Sequence, residues 1–222
     1  MIKGILFDMD GVLVDNMAAH AEAFERFCEE FGCENVTERL YKCAGMGNDE
    51  IMDIMLPAEV VAERGKAALS AEKEAIYREL YADKIVPVAG LVEMLKELKT
   101  KGVSCAVGSS GCKENVEFVV ERCKLREYFD GYVYSDLVTR CKPDPEIYLT
   151  AAKQLGLEPW ECVVFEDALV GIESARRAGV AKVIALTTTI SAEELRSKSD
   201  ADIIVDDFRT CISDMSWLDF AK

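Results

Sequence analysis

The sequence predicts a doubly wound α/β fold, a parallel sheet with helices on both faces, carrying one inserted all-helical domain. Three observations lead there. Short β-rich runs recur at residues 2–7, 103–108, 132–134, 162–165, 182–186 and 203–205. Segments with helical spacing lie between most of them, and alternation of this kind implies parallel pairing through right-handed crossovers. Residues 16–82 break the alternation, with helical patterns and no strand signal.

Each element has its own warrant. Leu91, Leu95 and Leu98 recur at i, i+4 and i+7, and Gly102 follows as a C-terminal stop. Asp144-Pro145 predicts an N-cap followed by proline at the first helical position, and Gly156 closes that helix. Ser191-Ala-Glu-Glu194 matches a capping box. In the insertion, Met17, His20, Phe24, Phe27 and Phe31 share one helical face ahead of Gly32. Asn48 is the expected cap of a helix carrying Ile51, Met52, Ile54 and Met55, which Pro57 ends. A further helical stretch runs through Tyr81, and the chain returns near residues 85–87. The expected division is a core of 1–15 plus 83–222 and a helical domain of 16–82.

Composition narrows the class. The 222 residues are 50% hydrophobic and 30% charged, enough to bury a core and too apolar for wholesale disorder. The 26 Lys and Arg against 41 Asp and Glu leave a net charge of −15, which disfavours nucleic acid and anionic membranes as partners. No run approaches the roughly 18 apolar residues of a membrane span. The apolar start could pass for a signal peptide, but Asp8 and Asp10 interrupt it and a buried strand fits better. Nine scattered cysteines with no Cys-x-x-Cys, and a single histidine, argue against a zinc site and for a reducing compartment, the cytoplasm.

The chemically telling residues follow the predicted strands, where ligands of open α/β sheets bind. They are Asp8-Met-Asp10-Gly11, then Gly108-Ser109-Ser110-Gly111, then Lys142-Pro143, then Glu166-Asp167. Singly, most would read as caps, turns or solvated charges. Jointly, two acidic pairs, a hydroxyl and an ammonium at four strand ends call for a cation and an anion. Phosphoryl transfer explains each type. Carboxylates hold Mg²⁺, while a hydroxyl and an ammonium hold phosphoryl oxygens. One carboxylate attacks phosphorus, and another two residues away moves the proton.

Phe7-Asp8-Met9-Asp10-Gly11-Val12-Leu13-Val14-Asp15, with Ser109, Lys142 and Glu166-Asp167 in order, resembles the haloacid dehalogenase superfamily over essentially the whole chain. Within it, the chain is similar to the β-phosphoglucomutase-like phosphatases, and the helical insertion resembles their C1 cap. The resemblance implies a Rossmann-like core and Asp8 as nucleophile and metal ligand. It implies Asp10 as general acid/base, binding metal through its backbone carbonyl. Ser109 and Lys142 would bind the phosphoryl group. Asp167 would complete the Mg²⁺ site, with Glu166 as ligand or support. Aspartate at position 10 points to alcohol leaving groups rather than dehalogenation.

In the cap, His20 and Lys73 fall where β-phosphoglucomutases place a cap-closure histidine and a substrate-contacting lysine. Asn48 stands where those mutases place an arginine that grips a second phosphate, and it supplies no charge. Arg140-Cys141 departs from the glycine that often precedes the lysine. Cys112 and Cys141 lie near the site in sequence and raise the question of redox sensitivity. The expected activity is Mg²⁺-dependent hydrolysis of a small phosphorylated metabolite, a sugar phosphate, for which a monomer suffices. The alternatives are β-phosphoglucomutase and a non-catalytic metabolite-binding protein on the same fold.

Overall fold

The computed structural model describes residues 2–219. Its strands are β1 (Gly4–Phe7), β2 (Ser104–Gly108), β3 (Gly131–Val133), β4 (Cys162–Glu166), β5 (Lys182–Leu186) and β6 (Ile203–Val205). They pair in the order β3-β2-β1-β4-β5-β6, every pair parallel. The first three strands step outward from β1 on one side, and β4 to β6 step outward on the other. The chain therefore reverses direction between β1 and β4, and the crevice at their carboxyl ends is the place for a ligand.

The central strands are buried on both faces, and their side chains alternate between two cores with period two. Ile5, Phe7, Val107, Val163, Phe165 and Ile184 face one core. It is closed by α6 (Leu91–Thr100), α7 (Lys113–Arg122) and α11 (Phe208–Ser213). Leu6, Ala106, Val164 and Ala185 face the other, against α8 (Glu146–Gln154), α9 (Leu169–Ala178) and α10 (Ala192–Lys198). The first core is aromatic. Phe165 stacks on Phe7 at 5.3 Å and meets Phe208 and the edge of Trp217 at 5.1 and 5.5 Å. The second is rich in alanine, with Ala151, Ala152, Ala175 and Ala178 letting α8 and α9 lie close to the sheet.

Between β1 and α6 the described chain holds helices and no strand: α1 (Met17–Cys28), α2 (Val36–Tyr41), α3 (Asn48–Met55), α4 (Ala58–Arg64) and α5 (Lys66–Tyr81). Phe24, Phe27, Leu40, Met52, Met55 and Leu69 form a third apolar cluster there. The short helices α2 and α4 carry too few apolar positions to have stood out in the sequence.

Two caps differ from expectation. Asn48 is the first residue of α3, after Gly47 at the N-cap, and its side chain caps nothing. Pro145, not Asp144, occupies the N-cap of α8, because the helix starts one residue later. Asp144 still accepts from the Glu146 backbone N–H at 3.1 Å, so the orphan donor is satisfied with a one-residue shift. Ser191 does cap α10, accepting from Glu194 N at 3.2 Å, whereas the Glu194 carboxylate turns to Lys198 instead of completing a box.

Phe165 sits at the centre of the aromatic core with no exposure. Phe165→Ala should lower the urea-unfolding free energy by about 3–5 kcal/mol through lost burial and a residual cavity. A loss below about 1 kcal/mol would show that this cluster does not organise the sheet.

Candidate active site

The site is built where β1, β2 and β4 end. Asp8 continues the β1 ladder by donating its backbone N–H to Phe165 O at 3.0 Å, which points its carboxylate into the crevice. The chain then turns tightly, with Gly11 N to Val14 O at 2.8 Å and Leu13 N to Met9 O at 2.8 Å. Gly11 has φ +74°, and a Cβ there would lie 1.9 Å from the Asp167 Oδ2, so both backbone shape and space require glycine. This turn brings Asp10 back beside Asp8.

Lys142 arrives from the loop after β3. Its ammonium is sealed from solvent and donates to Asp8 Oδ1 at 2.5 Å and Glu166 Oε1 at 2.7 Å. Glu166 Oε1 also accepts from Tyr148 OH at 2.7 Å, and Oε2 accepts from the backbone N–H groups of Asp167 and Ala168 at 2.9 and 3.1 Å. Both lone pairs of each oxygen are thus occupied. A Cβ on Gly171 would lie 1.7 Å from Glu166 Oε1, so α9 can approach this carboxylate only with glycine.

Asp8, Glu166 and Asp167 each offer an oxygen within 4.8 Å of the others, all three buried. Three carboxylates face one ammonium, and the imbalance has consequences. Burial pushes Asp8 up to about 7 against the pull of Lys142, and burial with the charges of Glu166 and Asp8 pushes Asp167 well above the carboxylate range. Burial disfavours the Lys142 ammonium, yet Asp8 and Glu166 together hold its value above the ordinary one. A hard divalent cation suits this oxygen-only, negatively charged set. Asp8 and Asp167 have the carboxylate oxygens that could hold one, since Glu166 is committed to the protein.

Asp10 is treated differently. Asn16 Nδ2 donates to its Oδ1 at 2.6 Å and also to Tyr77 OH at 2.7 Å, while His20 Nε2 stands 3.5 Å from the same Oδ1. Desolvation pushes Asp10 up, but nearby His20, Asn16 and Lys73 outweigh it and hold the carboxyl below its ordinary value. Asn16 is the N-cap residue of α1 and makes no side-chain cap. It forgoes a contact worth about 1 kcal/mol to hold Asp10. Ser109 is buried, and its Oγ accepts from Gly111 N at 2.9 Å, which leaves the hydroxyl proton free.

Between these strand ends and α1, α3 and α5 lies a cavity of about 60 Å³, lined by Asp8, Asp10, His20, Asn48, Lys73 and Ser110 together with apolar side chains. Asn48 also borders an outer groove of about 580 Å³ with Cys141 and Arg140. Asp8, Asp10, Ser109, Lys142, Glu166 and Asp167 thus gather at the strand ends, and His20, Asn48 and Lys73 line the adjoining cavity. Tyr148, Asn16 and Tyr77 were missed. Asn16 adjoins the first motif, which was the available signal. Tyr148 falls in apolar helical spacing with Ile147, Ala151 and Ala152 and reads as core. Burial pushes the Cys112 thiol up to about 11 and raises that of Cys141, so neither carries the thiolate that redox sensing uses.

The sequence pattern of the haloacid dehalogenase-like hydrolases matches residues 5–185. The chain belongs to that family. A phosphorylated carbohydrates phosphatase of Thermotoga maritima is 31% identical over 194 residues, covering 86% of this chain and 88% of that protein. A fructose-1-phosphate phosphatase of Escherichia coli is 31% identical over 177 residues, covering 80% and 93%. Among solved structures, a β-phosphoglucomutase from Clostridium difficile superposes with a TM-score of 0.81 at 25% identity, covering 95% of this chain and 93% of the other. The family's Rossmann-like core is the sheet described above.

The acidic cluster makes the metal-free protein sensitive to pH in a definite direction. A carboxyl raised in the folded state favours folding fully below its ordinary 3.8, and that contribution is lost as pH rises toward about 7. Without divalent cations the unfolding midpoint should fall across that window. Mg²⁺ should restore it above the window, by about 2.7 kcal/mol at a hundredfold excess over Kd. Asp167→Asn should blunt both effects in a calorimetric titration. A midpoint indifferent to Mg²⁺ would remove the cation site.

Proposed function

We propose that the protein is a Mg²⁺-dependent phosphomonoesterase that hydrolyses a small phosphorylated metabolite, a sugar phosphate, through an aspartyl-phosphate on Asp8. The observation that carries this reading is the meeting of Asp8, Asp10, Ser109, Lys142 and Asp167 at the carboxyl ends of the central strands. In the first step an Asp8 oxygen bonds to phosphorus, the phosphorus–oxygen bond to the leaving alcohol breaks, and Asp10 gives that alcohol its proton. In the second, Asp10 takes a proton from water as the water oxygen attacks phosphorus, releasing phosphate and freeing Asp8. Asp10 is held toward the base form that the second step uses, whereas Asp8 in the metal-free protein is held toward its neutral form, which a bound cation would have to offset before Asp8 attacks.

Ser109 and Lys142 hold the transferring phosphoryl oxygens. Asp8, Asp167 and the Asp10 backbone carbonyl would hold Mg²⁺, with Glu166 fixing Lys142 beside them. When bound, the cation supplies charge that favours ionised Asp8 and offsets the phosphoryl oxygens. Residues 16–82 act as a cap over a core of 1–15 and 83–222, a division supported by the separate apolar cluster of the helices. The cavity is small, about 60 Å³, and in this reading the cap opens to admit a sugar and closes to exclude bulk water. No described helix is long and apolar enough to cross a membrane, and all nine cysteines are free, which supports a reducing, cytoplasmic setting. One chain supplies every proposed group.

β-Phosphoglucomutase is the second reading, favoured by the likeness to that fold and by His20 and Lys73 on the cavity wall. The charge inventory speaks against it. Asn48 is neutral, and Lys73, the cation lining the cavity, is ion-paired with Glu74 at 2.5 Å. Among the described residues lining that cavity, a bisphosphate would find no unpaired cation for its second phosphate. A binding protein without turnover is disfavoured because each catalytic position carries a competent residue.

The test is phosphate release from a panel of sugar phosphates and inorganic pyrophosphate, with and without Mg²⁺, run beside conversion of β-glucose 1-phosphate to glucose 6-phosphate. Hydrolysis of a sugar phosphate that needs Mg²⁺, and that Asp8→Asn abolishes while the protein stays folded, is expected. Robust isomerisation without phosphate release would establish the mutase instead. Silence across the panel would favour the binding protein.

A further inference from the structure

Behind the cavity a buried line of polar groups runs from Asp10 to the far side of the seam between α5 and α7. His20 Nδ1 is 3.3 Å from Lys73 Nζ. Lys73 pairs with Glu74 Oε1 at 2.5 Å. Glu74 Oε2 accepts from Asn115 Nδ2 at 2.7 Å, and Asn115 Oδ1 accepts from Arg78 NH1 at 2.7 Å. Lys73, Glu74 and Asn115 are 2%, 3% and 1% exposed. The partners of Asn115 settle its amide orientation without ambiguity, since a carboxylate can only accept and a guanidinium can only donate.

The same donor logic passes along the line. An ammonium has no acceptor, so the contact between Lys73 and His20 requires Nδ1 to accept. The imidazole proton then sits on Nε2, which faces Asp10 Oδ1 at 3.5 Å. Stacking on Tyr77 at 3.8 Å holds the ring in that plane. What keeps the ammonium on His20 is the Glu74 carboxylate. What keeps that carboxylate in place is Asn115, on a different helix of the core. An ion pair withdrawn from water in this way is a weak source of net stability, because desolvation offsets much of its attraction.

We propose that Glu74 and Asn115 are positioning residues for Asp10. They hold Lys73 so that His20 keeps its proton on Nε2 and presents it to the Asp10 carboxyl only when α5 is seated against α7. The inference rests on the proposed acid/base role of Asp10, but it has a readout of its own. His20 is the only histidine, so a ¹⁵N spectrum of the imidazole reports one ring. The wild-type protein should show the Nε2–H tautomer. Asn115→Ala and Glu74→Gln should shift it toward a mixture.

Kinetics supply the second arm. A general acid matters most when the leaving alcohol is a poor one. Asn115→Ala should therefore lower kcat/KM for a sugar phosphate about tenfold more than for p-nitrophenyl phosphate, whose leaving group needs little protonation. A merely structural role would lower both alike. Glu74→Gln keeps the size and the acceptor for Asn115 while removing the charge opposite Lys73, and it decides the matter should Asn115→Ala fail to fold. Equal losses on the two esters, or a tautomer unchanged in both variants, would overturn the proposal. If the wild-type protein hydrolyses neither ester, the phosphatase reading falls while the tautomer experiment still judges the positioning.

Discussion

The Lys142 ammonium, shut away from water between Asp8 and Glu166, is the contact around which the rest of the site is arranged. It joins three pieces of chain that are far apart in sequence: the end of β1, the end of β4 and the loop before α8. A charge so buried is tolerable only if its partners are complete, and here they are. Glu166 is itself saturated by Tyr148 and two backbone N–H groups, so it cannot swing away, and Lys142 cannot follow solvent. One ammonium cannot offset both Asp8 and Glu166, and Asp167 has no ion-pair partner among the described residues. That deficit is what makes the strand ends a place that could hold a cation and, in the proposed reading, a phosphoryl group.

Two aspartates separated by one residue are given opposite environments. Asp8 lies among other carboxylates and is pushed toward its neutral form, whereas Asp10 is met by Asn16 and His20 and is held toward its charged form. The difference comes from the helices inserted after β1. Asn16 leaves its capping duty at the start of α1, His20 lies one turn further along, and Tyr77 and Lys73 arrive from α5. The inserted helices thus shape the electrostatics of the strand ends as well as covering them. The net charge of −15 is a poor guide to such a place, where the local field is set by Lys142 and by whatever cation the carboxylates hold.

Much of the fold was readable because its signals are local. Strands buried on both faces must be apolar runs, and β1, β2, β4 and β5 fell where those runs lie, differing by a residue or two at the ends. Helix ends marked by Gly102, Gly156 and Ser191 were equally plain. Asn48 and Asp144 misled by a single position, because a cap is defined by backbone angles that a side chain only favours. The short helices α2 and α4 escaped notice, since their burial depends on neighbours rather than on their own pattern.

For the site, the sequence by itself determined which groups are candidates for the chemistry. A carboxylate pair, a serine, a lysine and a second acidic pair, each just past an apolar run, carry their chemistry in their types and order. Only the tertiary structure decided how those groups are partnered. Glu166 could be a cation ligand or a support until its four acceptor sites were seen to be filled. Glu74 carries no signal in the sequence, and only the packing of α5 against α7 buries it between Lys73 and Asn115. The physical reason is the same in each case. Residue type sets what a side chain can donate or accept, while desolvation and the partner it meets set what it does, and both depend on contacts between residues dozens of positions apart.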